Sequence, residues 1–258
     1  DGRQLFEYSP SHSERPPDAG SVAAPGVRAK RRGAMSTPTA QTLRTFYDAL
    51  SAAYGPQHWW PAQTPTEVII GAILTQNTAW RNVERAIANL QEAGALDWTR
   101  LRDLPPEQLA ELIRPAGTYQ VKTRRLKAFV TWLWERYDGD LQRMFATPLP
   151  ALREELLSVS GIGRETADAI LLYAGQLPSF VVDAYTARVL YRHGLIDESA
   201  DYDEIKDLFE SSLPADVPLF NEYHALLVQV GKLHCRPRPR CADCPLDSFP
   251  HASCEPND

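Results

Sequence analysis

The sequence predicts an all-α fold, and three observations lead there. Apolar residues recur at three- and four-residue intervals in one segment after another. These segments open on capping residues or proline and close near glycine. No stretch alternates apolar and polar residues as a half-buried strand would, and no solenoid-like repeat is present.

Taken in order, residues 1–38 read as a disordered tail. They are rich in Pro, Ser, Gly and Arg, carry a basic run from Arg28 to Arg32, and lack the apolar periodicity needed to offset ordering entropy. Position 1 is Asp and the first methionine is Met35, which favours an upstream extension from a misplaced start over a basic arm for a polyanion. Thr64-Pro65-Thr66-Glu67 is a capping box with proline at the first helical position. The adjoining run Val68 to Leu74 is apolar nearly all round, so it predicts a buried central helix. Trp80, Val83, Ile87 and Leu90 mark the next helix, which stops near Gly94. Pro106 opens another, with Leu109, Leu112 and Ile113 on one face, and Leu126, Phe129, Val130, Leu133 and Trp134 mark a longer one ending near Gly139. Ile205, Leu208 and Phe209, then Tyr223, Leu226, Leu227 and Val230, signal two late helices. The 258 residues allow one or two domains. A formal charge of −6 excludes nucleic-acid binding by the whole surface and confines any such partner to a local basic patch. No uninterrupted apolar stretch is long enough to span a membrane. Length and composition fit a cytoplasmic globular protein, and a monomer is expected.

All four cysteines sit near the C-terminus as Cys235-x5-Cys241-x2-Cys244-x9-Cys254. Without a secretory signal, a metal centre explains the clustering better than two disulfides. Structural zinc usually takes two short pairs, whereas only Cys241 and Cys244 form one here. The uneven spacing favours a 4Fe–4S cluster over zinc, because each thiolate takes one corner of a cube.

A helix beginning at Pro150 runs into Gly161-Ile162-Gly163, and a second helix comes after it with Ala167, Ile170, Leu171 and Ala174 inward. Both glycines read as positions of unusual backbone geometry and close approach. Ile162 reads as a plug between the helices, and the new helix's amides as an anion site suited to phosphate. Further on, Val181-Val182 leads into Asp183, which can serve as the N-cap of its helix, as a carboxylate at a cleft mouth, or both. Asp168 reads as plain helix surface.

In this order the helix–hairpin–helix, the Val-Val-Asp segment and the terminal cysteines resemble the endonuclease III (helix-hairpin-helix-GPD) superfamily of base-excision DNA glycosylases, over about residues 40–258. The resemblance implies two lobes. Residues 65–178 would form a six-helix barrel with the hairpin at 151–175, and residues 39–64 with 179–258 an iron–sulfur lobe. It also implies double-stranded DNA as partner, with a damaged base flipped into the cleft between lobes. Gly161, Ile162, Gly163 and Arg164 would grip phosphate, Asp183 would be the catalytic carboxylate, and Cys235, Cys241, Cys244 and Cys254 would hold the cluster. The gap before Cys254 exceeds the family's usual spacing, and His251 is the nearest alternative ligand.

One departure bears on the chemistry. Bifunctional members carry a lysine two residues after the second hairpin glycine, where this chain has Glu165, and a carboxylate forms no Schiff base. A monofunctional glycosylase with water as nucleophile is therefore expected, with Lys122 as the one alternative amine. Trp59-Trp60-Pro61, Ile73 to Thr78 and Arg114 to Tyr119 are similar to the 3-methyladenine DNA glycosylase subgroup, which implies an alkylated purine stacked on Trp59 and Trp60. Gln76 would fill the gap left by the flipped base, and Thr118 or Tyr119 would wedge the opposite side. Lys122, Arg124, Arg125 and Lys127, and the proline-spaced Arg236, Arg238 and Arg240, are candidate phosphate contacts. Excision of an oxidised pyrimidine or a mispaired base, and a non-catalytic DNA-binding iron–sulfur protein, are the alternative readings.

Overall fold

The computed structural model describes residues 37–251, and every regular element among them is helical. Cys254 and the basic run near the N-terminus lie outside the described residues. The α-helices are α1 (Thr37–Tyr54), α2 (Pro65–Leu74), α3 (Trp80–Glu92), α4 (Trp98–Asp103), α5 (Pro106–Leu112), α6 (Tyr119–Tyr137), α7 (Leu141–Phe145), α8 (Leu149–Leu157), α9 (Arg164–Ala169), α10 (Ala184–Arg192), α11 (Tyr202–Ser212) and α12 (Val217–Leu233). A single π-turn, Ile170–Ala174, continues α9.

The capping logic holds at α2. The Glu67 amide donates to Thr64 Oγ1 at 3.2 Å, but the Glu67 carboxylate reaches the Gln63 amide at 2.9 Å, one residue before the cap. Every residue from Val68 to Leu74 is buried, so α2 is a central helix as its composition requires. It packs on α3, α6, α9 and the π-turn. A second group forms where α12 lies against α1 and α10, with α11 on α1. The π-turn also touches α12, which brings the two groups together.

Asp168 is a correction. It is 0 % exposed rather than on a helix surface. Arg153 on α8 grips both its oxygens at 2.9 and 3.1 Å, and Ser179 donates to Oδ1 at 2.6 Å. Lys206 on α11 bonds the same serine at 2.7 Å, and Asp203 joins Arg153 at 2.8 Å to Arg164 at 3.1 Å. A buried charge is tolerable only when paired and hydrogen-bonded, and this one is. The network fastens the hairpin helices α8 and α9 to α11.

Candidate active site

Asp183 is the N-cap of α10. Its Oδ1 accepts the Thr186 amide at 2.8 Å and the Thr186 hydroxyl at 2.9 Å. The cap reading holds, and the capping carboxylate is itself buried, only 8 % exposed. Burial alone would raise its carboxyl; the His224 ring and the two Thr186 donors outweigh that and hold it below the usual carboxylate range. His224 Nε2 lies 3.6 Å from Oδ2. Glu165, in the first turn of α9, behaves oppositely. Desolvation, then the charge of Asp183, pushes its carboxyl up to about 8, although its own surface still meets water, which moderates the push.

The hairpin turns at Gly161, whose φ is +90°. A Cβ there would meet Arg125 Cγ at 2.2 Å, so both the backbone conformation and the close approach demand glycine. Gly163 corrects the expectation of two special glycines. Its φ is −92° and a Cβ would meet nothing within 4 Å; it serves as the N-cap of α9. Ile162 plugs the turn at 5 % exposure. Gln76, beyond the end of α2, is engaged by the hairpin. Its Nε2 donates to Gly161 O at 3.2 Å and Thr166 Oγ1 at 2.9 Å, while Arg125 donates to its Oε1.

The aromatic residues expected to stack on a base gather nearby. Trp59 and Trp60 are half-buried; the Trp60 ring sits 5.1 Å from Trp80 and 5.2 Å from Tyr173, and Trp59 lies 6.3 Å from His224. Thr118 is exposed in the left-handed region at φ +39°, and Tyr119 is half-buried beneath the Arg114 guanidinium at 5.4 Å.

Lys122 is a second correction. It is 1 % exposed, so it cannot face a phosphate. Its Nζ donates to Ala116 O at 2.6 Å, and burial, with Arg125 adding, lowers its ammonium to about 8. Lys127 is likewise turned away from phosphate, with its Nζ on Leu101 O at 2.7 Å and Arg102 O at 3.1 Å behind α4. Arg125 is occupied by the hairpin and Gln76. Arg124, Arg238 and Arg240 are exposed, Arg236 half-buried, and Arg164 half-exposed in its pair with Asp203. Two groups at the site escape sequence reasoning. Tyr173 and His224 both read as ordinary helix positions, and only the packing of the π-turn on α12 brings them to Asp183.

Cys235, Cys241 and Cys244 line one cavity of ≈ 60 Å³ with Val189, Val230 and Leu246. Cys235 and Cys244 bring two free thiols to this largely apolar cavity, with the Cys241 sulfur beside them, and soft sulfur donors suit a thiolate-held cluster. Arg192 Nη1 lies 3.3 Å from Cys235 Sγ and 2.6 Å from Arg236 O, holding the loop that carries the arginines. Ligand atoms of Cys241, Asp247 and His251 also fall within 4.8 Å of one another, so His251 does stand beside the cysteines.

Residues 70–215 match the HhH-GPD superfamily of base excision DNA repair proteins, and the chain belongs to that superfamily. It is a base-excision-repair DNA glycosylase by family. Among its relatives, a Methanocaldococcus jannaschii protein assigned in name to the DNA repair glycosylases is 50 % identical over 211 residues, covering 81 % of this chain and 96 % of that one. Endonuclease III of Thermotoga maritima is 30 % identical over 181 residues, or 70 % of this chain and 79 % of its own. The Helicobacter pylori 3-methyladenine DNA glycosylase, solved with 1,N6-ethenoadenine, superposes with a TM-score of 0.62 at 26 % identity over 75 % of this chain and 97 % of that one. An endonuclease III solved in a non-covalent complex with DNA shares the fold, with a TM-score of 0.69 at 24 % identity over 81 % and 94 % of the two chains.

Proposed function

We propose that the protein is a monofunctional glycosylase that hydrolyses the N-glycosidic bond of an alkylated purine in duplex DNA. The observation that carries this is the pair of carboxylates at the site. Asp183 is held ionised, and Glu165 stands where a Schiff-base lysine would be needed. Two titratable groups whose surroundings push them apart mark an acid–base division of labour. The Trp59-Trp60 pair and the likeness to a 3-methyladenine glycosylase at 26 % identity support the choice of base. A cationic purine leaves readily and needs aromatic faces more than a strong acid.

The chemistry follows from the carboxylate. As the C1′–N bond lengthens, positive charge grows on the sugar, and a buried anion stabilises it far better than water would. Oδ1 of Asp183 is engaged by its own helix, so Oδ2 is the oxygen available to that charge or to the proton of the attacking water. The water oxygen bonds C1′, the base departs with the glycosidic electron pair, and the water proton is released through Asp183 or to solvent. Cys235, Cys241, Cys244 and Cys254 would hold a 4Fe–4S cluster, whose bonds would fasten the Arg236–Arg240 loop against phosphates. The experiment is base release from duplexes carrying single alkylated, oxidised or mismatched bases, assayed with and without alkali. Release of an alkylated purine is expected, with strand breaks only after alkali and loss in Asp183→Asn. Release confined to oxidised or mismatched bases, or a covalent adduct trapped by borohydride, overturns the proposal.

A further inference from the structure

Behind the carboxylate lies a chain of three buried polar side chains. The Tyr173 hydroxyl meets His224 Nδ1 at 2.6 Å, and His224 Nε2 stands 3.6 Å from Asp183 Oδ2. All three are at most 8 % exposed. Among the described residues His224 Nε2 has no hydrogen-bond partner although it is buried, and Asp183 Oδ2 at 3.6 Å is the acceptor its edge faces. The Asp183 charge decides the direction of these bonds, since a neutral phenol could donate to Nδ1 or accept from it. The Tyr173 hydroxyl keeps its proton, because desolvation and then the charge of Asp183 oppose its ionisation. A proton donated by Tyr173 to Nδ1 leaves the ring proton on Nε2, facing Oδ2. The other tautomer would aim a lone pair at the carboxylate.

We infer that His224 is a positioning residue for Asp183, its tautomer fixed by Tyr173 so that an N–H always faces the one carboxylate oxygen left for reaction. This deepens the glycosylase reading and rests on it for its kinetic consequences. The other titratable groups that Asp183 meets are Glu165 from α9, Tyr173 from the π-turn, Tyr185 on its own helix, and Lys232 on α12. Against its burial, the His224 edge and the Thr186 donors are what hold the Asp183 carboxyl down. Thr186 engages only Oδ1, which leaves Oδ2 dependent on His224.

The test uses the whole chain and two readouts. Carboxyl NMR of the DNA-free protein follows the titration of Asp183, and the pH profile of base release follows its function. In His224→Leu the Asp183 midpoint is expected to rise by about one pH unit or more, and the acid limb of kcat to move up with it. KM for the lesion duplex should change less than about twofold. His224→Gln, which can offer an amide N–H near the same place, should stay close to wild type. Tyr173→Phe, which keeps the ring packing, should fall between them. An unmoved Asp183 midpoint in His224→Leu overturns the inference. So does equal loss in the Gln and Leu variants with an unchanged pH profile, which would mark His224 as packing only. If wild type releases no base from any duplex, the functional reading fails, and the NMR titration still decides the inference.

Discussion

Replacing Gly161 by alanine tests the hairpin as the structure describes it. At φ +90° an L-residue suffers a backbone penalty of about 1–2 kcal/mol. The added methyl would also stand 2.2 Å from Arg125 Cγ and 2.8 Å from Cδ. These atoms lie near the root of the side chain, so Arg125 must swing out as a whole rather than bend its tip. That overlap costs about 1–3 kcal/mol by analogy with overpacked cores. The sum is about 2–5 kcal/mol, and moving Arg125 also loosens Gln76, which it holds against the Gly161 carbonyl.

The assay is a double-mutant cycle in urea. Arg125→Ala removes Cγ and Cδ and leaves only Cβ at 3.0 Å, so in that background Gly161→Ala should cost little beyond the backbone part, about 1–2 kcal/mol. The difference between backgrounds, about 1–3 kcal/mol, is the contact itself. Midpoints should move while the m-value holds, since the surface exposed on unfolding is unchanged. Equal cost in both backgrounds would refute the contact. A cost below about 1 kcal/mol in the wild-type background would refute the strained turn as well.

Other consequences are separable. Glu165→Lys places an amine in a setting whose desolvation, already raising the native carboxyl to about 8, would lower an ammonium and free its lone pair. Borohydride trapping of an enzyme–DNA adduct is expected from that variant and not from wild type; a folded variant that releases base yet traps nothing contradicts the placement of residue 165. Binding to lesion duplex should weaken steeply with salt, and alanine at Arg236, Arg238 or Arg240 should each flatten the log–log slope by about one. Slopes unchanged by all three replacements would remove that loop from the interface. Protein purified under nitrogen should be brown and carry iron and acid-labile sulfide, both lost in Cys244→Ser; one equivalent of zinc in a colourless protein would refute the cluster.

The sequence carries most of the helices because caps and period agree along it. The apolar run 68–74 of α2 can only be central, and Asp183 at the start of an amphipathic helix can readily be a cap. Short helices such as α4 and α7, with six and five residues, offer too few turns for a period to show. The charged residues are harder to read. Lys122 and Lys127 flank Arg124 and Arg125 in a run that reads as one basic face, but a helix points successive residues about 100° apart. That rotation sends Lys122 to the Ala116 carbonyl and Lys127 to the end of α4, and leaves Arg124 in solvent. Asp168 is illegible for a related reason: its partners Arg153, Ser179 and Lys206 come from three other segments.

The π-turn shows how a local irregularity can make a long-range site. Gly175 N donates to Ile170 O at 3.0 Å, a bond spanning five residues where an α-helix spans four. The extra residue in that turn rotates the chain beyond it by roughly one helical step, about 100°. Tyr173 sits inside it, on the side where the turn meets α12. Its hydroxyl can therefore reach His224 without either helix leaving the core, and His224 in turn backs Asp183 from a different helix. Neither tyrosine nor histidine carries a motif, and hydrophobic period treats both as interior filler. The signal lies in the helix defect, which single-sequence periodicity cannot register, because one inserted residue leaves the apolar composition of Ile170–Ala174 unaltered.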